Sequence, residues 1–285
     1  MTAVSGSGQL RRCAVLAVFA HPDDESLACG GLLARCAAEG AHVTVLCITR
    51  GELGSLPAGE SGQSLAALRV RELEAAGRVL GVAAVTCLDY EDGCVPWADV
   101  SRIEADIALA IRETAAEAVI TFDEDGLYWH PDHIAVHART TAAVAALGDA
   151  APALYYATVP HGRMGALQAL VAARRPHRPG PHHILGVLDG EAFGAMAPSP
   201  SLAIDVTAFV PQKLAALRCH ASQVAGGVFD GLCDEDAASV LGLEQLRRAT
   251  VGSAAPTMID ALGMTGSRVG VPASRLSATV PEAGP

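Results

Sequence analysis

The stretch AVLAVFAHPDDE, residues 14–25, decides the fold that we predict for this chain. Its first part, Ala14–Ala20, is an unbroken apolar run, which is typical of a strand buried on both faces of a parallel sheet. The run passes directly into His21, a proline and three consecutive acids. Because a parallel α/β sheet binds its ligand beyond the carboxyl ends of the strands, we expect a ligand at this turn.

The remainder of the chain continues the alternation of apolar runs and amphipathic stretches that βαβ units produce. We therefore predict an α/β, Rossmann-like fold: a mostly parallel sheet with helices on both faces, without a dinucleotide-binding Gly-rich turn. The predicted strands cover residues 14–20, 42–49, 84–88, 118–122, 153–158 and 202–206. The predicted helices cover residues 27–39, 64–80, 100–115 and 211–219, with a further helix that begins near residues 130–131.

A chain of 285 residues is long enough for one large domain. We predict this single domain over residues 1–252, with a surface loop or cap near residues 174–183, where proline, histidine and arginine are dense. Residues 253–285 are rich in small residues and proline, and are expected to form a peripheral or partly disordered tail.

Composition excludes several classes of protein. A net charge of −11 and 4% aromatic residues argue against a nucleic-acid partner. Apolar runs fall short of the roughly 20 residues that a membrane span needs, and the run after Arg12 lacks the cleavage site of a signal peptide. Eight cysteines without a C-x-x-C pair indicate reduced thiols. We expect a soluble, cytoplasmic protein with no membrane span, and the oligomeric state stays open, a homo-oligomer included.

The turn at residues 21–25 favours a cation over a phosphate. Three carboxylates where a dinucleotide fold places its Gly-rich loop would repel a phosphate, whereas a bound cation compensates their mutual repulsion. An alternative is that the acids only cap and charge the following helix. One acid would suffice for that role.

A second polar cluster, YWHPDH at residues 128–133, follows the predicted strand 118–122. His130 and His133 are three residues apart and therefore share a face of the first helical turn. Both clusters follow strands of one parallel sheet, so they can meet in space. Together they offer two imidazoles and a carboxylate for a metal, with one of each to spare, which is the inventory of a catalytic Zn²⁺ site. The same ligand types suit Fe²⁺.

At these motifs the chain resembles the PIG-L/LmbE-like family of zinc-dependent N-acetylglucosaminyl deacetylases, which includes deacetylases and amidases of mycothiol and bacillithiol metabolism. The resemblance is strongest at AHPDDE, residues 20–25, and HPDH, residues 130–133. Weaker similarities are TRGE at 49–52, R-x-x-E at 69–72, LGV at 80–82, Asp-Gly at 92–93 and DVTAFVPQKLAALRCHASQ at 205–223. It covers roughly residues 14–250.

The resemblance implies a role for each of the matching residues. Its metal ligands would be His21, Asp24 and His133. Asp23 would be the general base, which later protonates the leaving amine.

Four further residues complete the site that the resemblance implies. His130 would stabilise the oxyanion, with Tyr128 beside it. Arg69 and Asp92 would face the substrate. Three polar residues of the later segment, Lys213, His220 and Gln223, are given no catalytic role, because an amphipathic helix with a polar edge explains them equally well.

The function implied is removal of the N-acetyl group from an N-acetylglucosamine-type conjugate, a small molecule, by water that the metal activates. One alternative is an amidase that cleaves a larger amide with the same residues. Another is a metal- or sugar-binding protein without turnover, although binding alone would need neither Asp23 nor His130. The loops at 51–63 and 174–183 do not identify the conjugate.

Overall fold

The computed structural model describes residues 13–55, 62–174, 182–196 and 198–264. Within these ranges eight strands form a single sheet. The strands are β1 (Ala14–Phe19), β2 (His42–Thr49), β3 (Ala84–Tyr90), β4 (Ala118–Phe122), β5 (Ala153–Thr158), β6 (Leu202–Asp205), β7 (Leu243–Gly252) and β8 (Gly263–Met264). The helices are α1 (Asp24–Ala38), α2 (Gly62–Leu80), α3 (Val100–Thr114), α4 (Gly126–Trp129), α5 (Pro131–Ala146), α6 (Arg163–Arg174), α7 (Val210–Cys219), α8 (Ala221–Val224), α9 (Asp234–Leu241) and α10 (Met258–Leu262).

The strand order is β3-β2-β1-β4-β5-β7-β6-β8. The first five strands in this order are parallel, and β7 is antiparallel to both of its neighbours. The prediction of a mostly parallel, Rossmann-like α/β fold is confirmed. From β1 the chain moves outward to β2 and β3, then returns to form β4 on the other side of β1. The order of the strands thus reverses between β1 and β4, and sheets of this kind bind ligands beyond the carboxyl ends of the strands at such a reversal.

Helices cover the sheet in two groups. One group consists of α1, α2 and α7, which pack on one another, and the other pairs α3 with α5. Helices of both groups contact β1, and all six residues of that strand are buried. A strand covered on both faces needs apolar side chains at every position, which is why its sequence is an unbroken apolar run.

The predicted elements are present, with shifts of up to three residues at their ends. The largest shift is at α1, which begins at Asp24 rather than at residue 27, because the acidic turn is itself the first helical turn. Gly40 and Gly81, which follow α1 and α2, adopt φ values of +91° and +75°. Such values favour glycine just beyond a helix end.

The strand β7 was not predicted, because four of its ten residues are charged or amide side chains. The charges are paired within the fold. Glu244 accepts a hydrogen bond from Lys213, and Arg247 and Arg248 form ion pairs with Asp123 and Asp260. A strand stabilised by such pairs lacks the hydrophobic alternation by which strands are recognised.

The segments expected to be irregular are covered in part. Residues 175–181 of the loop near 174–183 lie outside the described residues, and so do residues 265–285 of the expected tail. The earlier part of that tail includes α10 and β8, and β8 pairs with β6. None of the helices in the described ranges is long and apolar enough to cross a membrane.

Candidate metal centre

The turns that follow β1 and β4 bring three side chains together. His21 Nδ1 lies 3.0 Å from His133 Nε2, and the carboxylate oxygens of Asp24 lie 3.4 Å from the first nitrogen and 3.2 Å from the second. All three residues are buried. Tetrahedral ligands at Zn–N and Zn–O distances of ~2.1 Å are about 3.4 Å apart. The sequence-predicted ligands therefore lie at the spacing that a single small cation requires.

Hydrogen bonds orient both imidazoles toward this common point. His133 Nδ1 is 3.0 Å from the carbonyl oxygen of Gly126, which can only accept, so Nδ1 is the donor and Nε2 keeps its lone pair. His21 Nε2 lies 3.0 Å from Asp92 Oδ1 and 3.2 Å from Asp132 Oδ2. That leaves His21 Nδ1 for the shared point. Proteins usually orient a metal-binding histidine in this way, by a hydrogen bond from the ring nitrogen that does not bind the metal.

The pKa values of the two histidines indicate that the trio holds one positive charge between its nitrogens. Burial lowers the pKa of His21, but the carboxylates of Asp132, Asp24 and Asp92 outweigh it and hold that pKa well above its ordinary value. Burial lowers the pKa of His133 to about 3. Without a metal, one proton on His21 can therefore occupy the space between the two nitrogens. A divalent cation would replace that proton, as deprotonation of ligands accompanies metal binding generally.

Asp23 lies beside the trio in an unusual conformation. Its backbone has φ +124° and ψ −23°, a region that residues other than glycine rarely adopt and that costs about 1–3 kcal/mol. Its Oδ2 accepts a hydrogen bond of 3.1 Å from Arg69 Nη2. Burial raises the pKa of Asp23 to about 7; Arg69 opposes this rise and the charge of Asp24 adds to it. A carboxylate that titrates near neutrality can both take up and return a proton.

Arg69 is buried, and its guanidinium is held by main-chain oxygens. Its two terminal nitrogens donate to the carbonyl oxygens of Gly51 and Pro22, at 2.7 Å each. Arg69 thus links the loop after β2 to the turn that carries Asp23. Its role in substrate binding stays a prediction, since its guanidinium contacts Asp23 and the backbone.

His130 and Tyr128 pack against the two imidazoles of the trio. The ring centroid of His130 is 4.8 Å from that of His21 and 4.7 Å from that of His133. Its Nδ1 accepts the N–H of Asp132 at 3.2 Å, which leaves the protonated Nε2 as a donor. The Tyr128 ring packs 5.1 Å from the His133 ring, and burial raises the pKa of its hydroxyl well above the ordinary value, so that it also remains a donor.

Sequence reasoning gave Asp132 no role, and its prediction that Asp92 faces the substrate stays a prediction. Asp132, the third residue of HPDH, is fully buried. Its Oδ2 lies 3.2 Å from His21 Nε2 and also accepts the N–H of Gly93 at 2.8 Å. Asp92, expected to face the substrate, contacts His21 through one oxygen and accepts the N–H of Leu53 at 2.9 Å through the other. The available signal for Asp132 was its place between the two histidines of the motif.

The donor atoms also allow two other groupings. One combines His21 with His130 and His133, and the other combines His21 with Asp92 and Asp132. Asp92 Oδ1 and Asp132 Oδ2 both lie near Nε2 of His21, and each carboxylate also accepts a backbone N–H, so both orient that imidazole. The separations of 3.0–3.4 Å among His21, Asp24 and His133 are compatible with one tetrahedral cation.

Comparisons with known proteins point to the same chemistry. Residues 16–144 match the model of the family described as PIG-L, GlcNAc-PI de-N-acetylase. A 1D-myo-inositol 2-acetamido-2-deoxy-alpha-D-glucopyranoside deacetylase of Acidothermus cellulolyticus is 35% identical over 257 residues, which cover 81% of this chain and 86% of the relative. The protein of the same name from Geodermatophilus obscurus is 34% identical, over 82% of this chain and 90% of its own. Among solved structures, N,N'-diacetylchitobiose deacetylase from Pyrococcus horikoshii has the same fold, with a TM-score of 0.62 and 20% identity over 84% of each chain.

Proposed function

The chain belongs to the GlcNAc-PI de-N-acetylase (PIG-L) family, and from that membership we propose that it is a metal-dependent hydrolase that removes the N-acetyl group from an N-acetylglucosamine-type conjugate. The observation that carries the proposal is the convergence of His21 Nδ1, His133 Nε2 and the Asp24 carboxylate, with separations of 3.0–3.4 Å, directly beside Asp23. Three ligands and an adjacent base are what amide hydrolysis by activated water requires.

Zinc is the cation that we propose for this site. Two imidazoles and one carboxylate, buried and spaced for tetrahedral coordination, are a ligand set of catalytic zinc, and Fe²⁺ is the alternative that the same ligand types accept. When bound, Zn²⁺ lowers the pKa of water to ~7 and polarises a carbonyl group.

The side chains around the metal would divide the proton transfers between them. Asp23 accepts a proton from the attacking water while the oxygen of that water bonds to the acetamide carbon. The Nε2–H of His130 donates to the oxyanion that forms, and the Tyr128 hydroxyl is a second donor at the same side. Asp23 then gives its proton to the amide nitrogen, the C–N bond breaks, and a primary amine leaves together with acetic acid, which ionises to acetate.

An inositol-linked N-acetylglucosamine is the first substrate that we propose. Two relatives that align over four-fifths of this chain are named for that compound, at 35% and 34% identity. Their shared name supports the N-acetylglucosaminyl part of this substrate most directly. The residues that would act on its acetyl group, the metal trio and Asp23, lie within the region that matches the family model.

The proposal is tested by primary-amine release from a panel of N-acetylglucosamine conjugates with different aglycones, the inositol conjugate among them. We expect release by zinc- or iron(II)-loaded protein, its loss on addition of a chelator, and the highest kcat/KM for the inositol conjugate. Asp23→Asn should keep its metal and lose turnover at least about a hundredfold, because it removes the proton acceptor. Absence of amine release from every conjugate, by protein with a full metal load, would overturn the proposal.

A further inference from the structure

Glu25 and His220 form a buried pair directly behind Asp23. His220 Nε2 lies 2.9 Å from Glu25 Oε1, and neither residue is more than 1% exposed. The two residues are almost 200 positions apart, and His220 belongs to the 205–223 segment, which an amphipathic helix alone would explain. Such a pair is costly to bury, so its position next to the site needs an explanation.

The second oxygen of Glu25 connects the pair to Asp23. Glu25 Oε2 accepts the backbone N–H of Asp23 at 3.0 Å, while Ser26 Oγ donates to Oε1 at 2.5 Å. Asp23 is the residue whose φ of +124° places its backbone in the left-handed region. A backbone in this region persists only where surrounding contacts hold it.

Each polar group of this turn is held from a different direction. The carbonyl of Asp23 accepts the N–H of Leu27 at 3.1 Å, and the preceding carbonyl, of Pro22, accepts from Arg69. The N–H of Asp23 donates to the Glu25 carboxylate. Glu25 is in turn held by His220, at the end of α7.

We propose that Glu25 and His220 are positioning residues for the base: His220 fixes the Glu25 carboxylate, and Glu25 fixes the Asp23 peptide, so that the strained turn directs the Asp23 carboxylate to the metal trio. This inference rests on the proposed function for the role of Asp23 as base. Neither Glu25 nor His220 touches the reacting atoms, so removal of the pair should lower kcat and leave KM unchanged.

A matched pair of variants separates positioning from burial. In His220→Gln the amide nitrogen can take the place of Nε2 and still reach Glu25. In His220→Asn the shorter amide occupies the place of Nδ1 and cannot. Both variants bury a neutral amide of similar polarity. The exposed His42, replaced as His42→Asn, is the control outside the site.

We expect His220→Asn to lose kcat about 10- to 100-fold, since a misplacement of ~1 Å at a catalytic group has effects of this size. KM and the metal content should stay at the wild-type values. His220→Gln should remain within a few-fold of wild type, and His42→Asn should be unchanged. Equal kcat in the Asn and Gln variants, or a loss of kcat that matches a loss of metal, would overturn the proposal.

A crystal structure of His220→Asn tests the same inference without any assay. Asp23 should leave the left-handed region once Glu25 is released, and a φ that stays near +124° would contradict the proposal. If the wild-type protein released no amine from any conjugate, the proposed function would fail, while this structural comparison would still decide whether the pair holds Asp23.

Discussion

At the residue scale, Asp23 brings together burial, a guanidinium partner and a left-handed backbone. Burial raises the pKa of the Asp23 carboxyl, Arg69 opposes that rise only in part, and the nearby negative charge of Asp24 raises the pKa further. The folded protein therefore binds a proton at Asp23 over a pH range in which the unfolded chain has already released it. That difference makes the stability of the metal-free protein depend on pH.

Asp23→Asn should reveal this dependence in metal-free protein. The ordinary pKa of 3.8 rises to about 7 on folding, so ionisation destabilises the folded state as the pH increases from about 4 to 7. We expect the variant to be more stable than wild type by a few kcal/mol at pH 8, with the difference shrinking to nothing near pH 4. Urea unfolding in the presence of a chelator, repeated across this range, measures it. If the difference in stability between Asp23→Asn and wild type did not vary with pH, the raised pKa of Asp23 would be refuted.

His133→Ala should lose the metal itself. His133 supplies one of the three converging donors, and its ring also stacks on Phe122 at a centroid distance of 4.0 Å. We expect less than about a tenth of the wild-type metal content after dialysis, measured by elemental analysis of folded protein. The control, His42→Ala, removes an exposed imidazole and should bind metal as wild type does. Normal metal content in His133→Ala would exclude it as a ligand.

Sequence motifs predicted which residues of the site meet, but only the fold shows how they are held. His21, Asp24 and His133 lie in two motifs that follow adjacent strands, so their convergence could be expected. That Asp132 would face His21, rather than its own neighbours in the helix, depends on how the two turns approach each other. The same holds for His220, whose partner Glu25 lies in the first motif.

At the scale of elements, α1 is broken and the break is supported from outside. Cys29 has φ −149° and ψ 23°, which interrupts the helix. Glu244 of β7 accepts the N–H groups of Gly31 and Leu32 at 2.8 and 2.7 Å, and Lys213 of α7 donates to the carbonyl of Leu27 at 2.9 Å. β7, the strand that sequence patterns did not predict, thus supplies the acceptor for the free N–H groups after the break in α1, the helix that carries Asp24.

Lys213→Met should destabilise the protein by about 3–5 kcal/mol, because it leaves the buried Glu244 carboxylate without its counter-ion. Lys213 and Glu244 are both less than 5% exposed and lie 2.6 Å apart. Adding Glu244→Gln to this variant should restore part of the loss, since the amide oxygen can still accept a backbone N–H. Urea unfolding of the single and double variants measures both effects. A double variant less stable than Lys213→Met would contradict the explanation.

At the scale of the whole molecule, the metal trio joins the two halves of the sheet across the point where the strand order reverses. His21 and Asp24 follow β1, and His133 follows the turn after β4. Only the folded chain places these donors together, so a metal that binds them stabilises the folded state.

Removal of the metal should therefore lower the Tm. A free metal concentration of about 1,000 times Kd contributes about 4 kcal/mol, which for a chain of this size corresponds to roughly 10 °C. Differential scanning calorimetry with and without chelator gives the shift. His133→Ala should show none, and an equal shift in that variant would mean that the metal stabilises the protein from elsewhere.

The adjacency of β1 and β4 also determines when the site can come into existence during synthesis. A nascent chain presents His21 and Asp24 to the solution early, while His133 is still to be translated. β2 and β3, which come between β1 and β4 in the sequence, lie on the other side of β1 from β4. Pairings between such distant segments are slow steps of folding. A metal could bind all three donors only once β1 and β4 have paired, so metal binding would report that this central strand pair has formed.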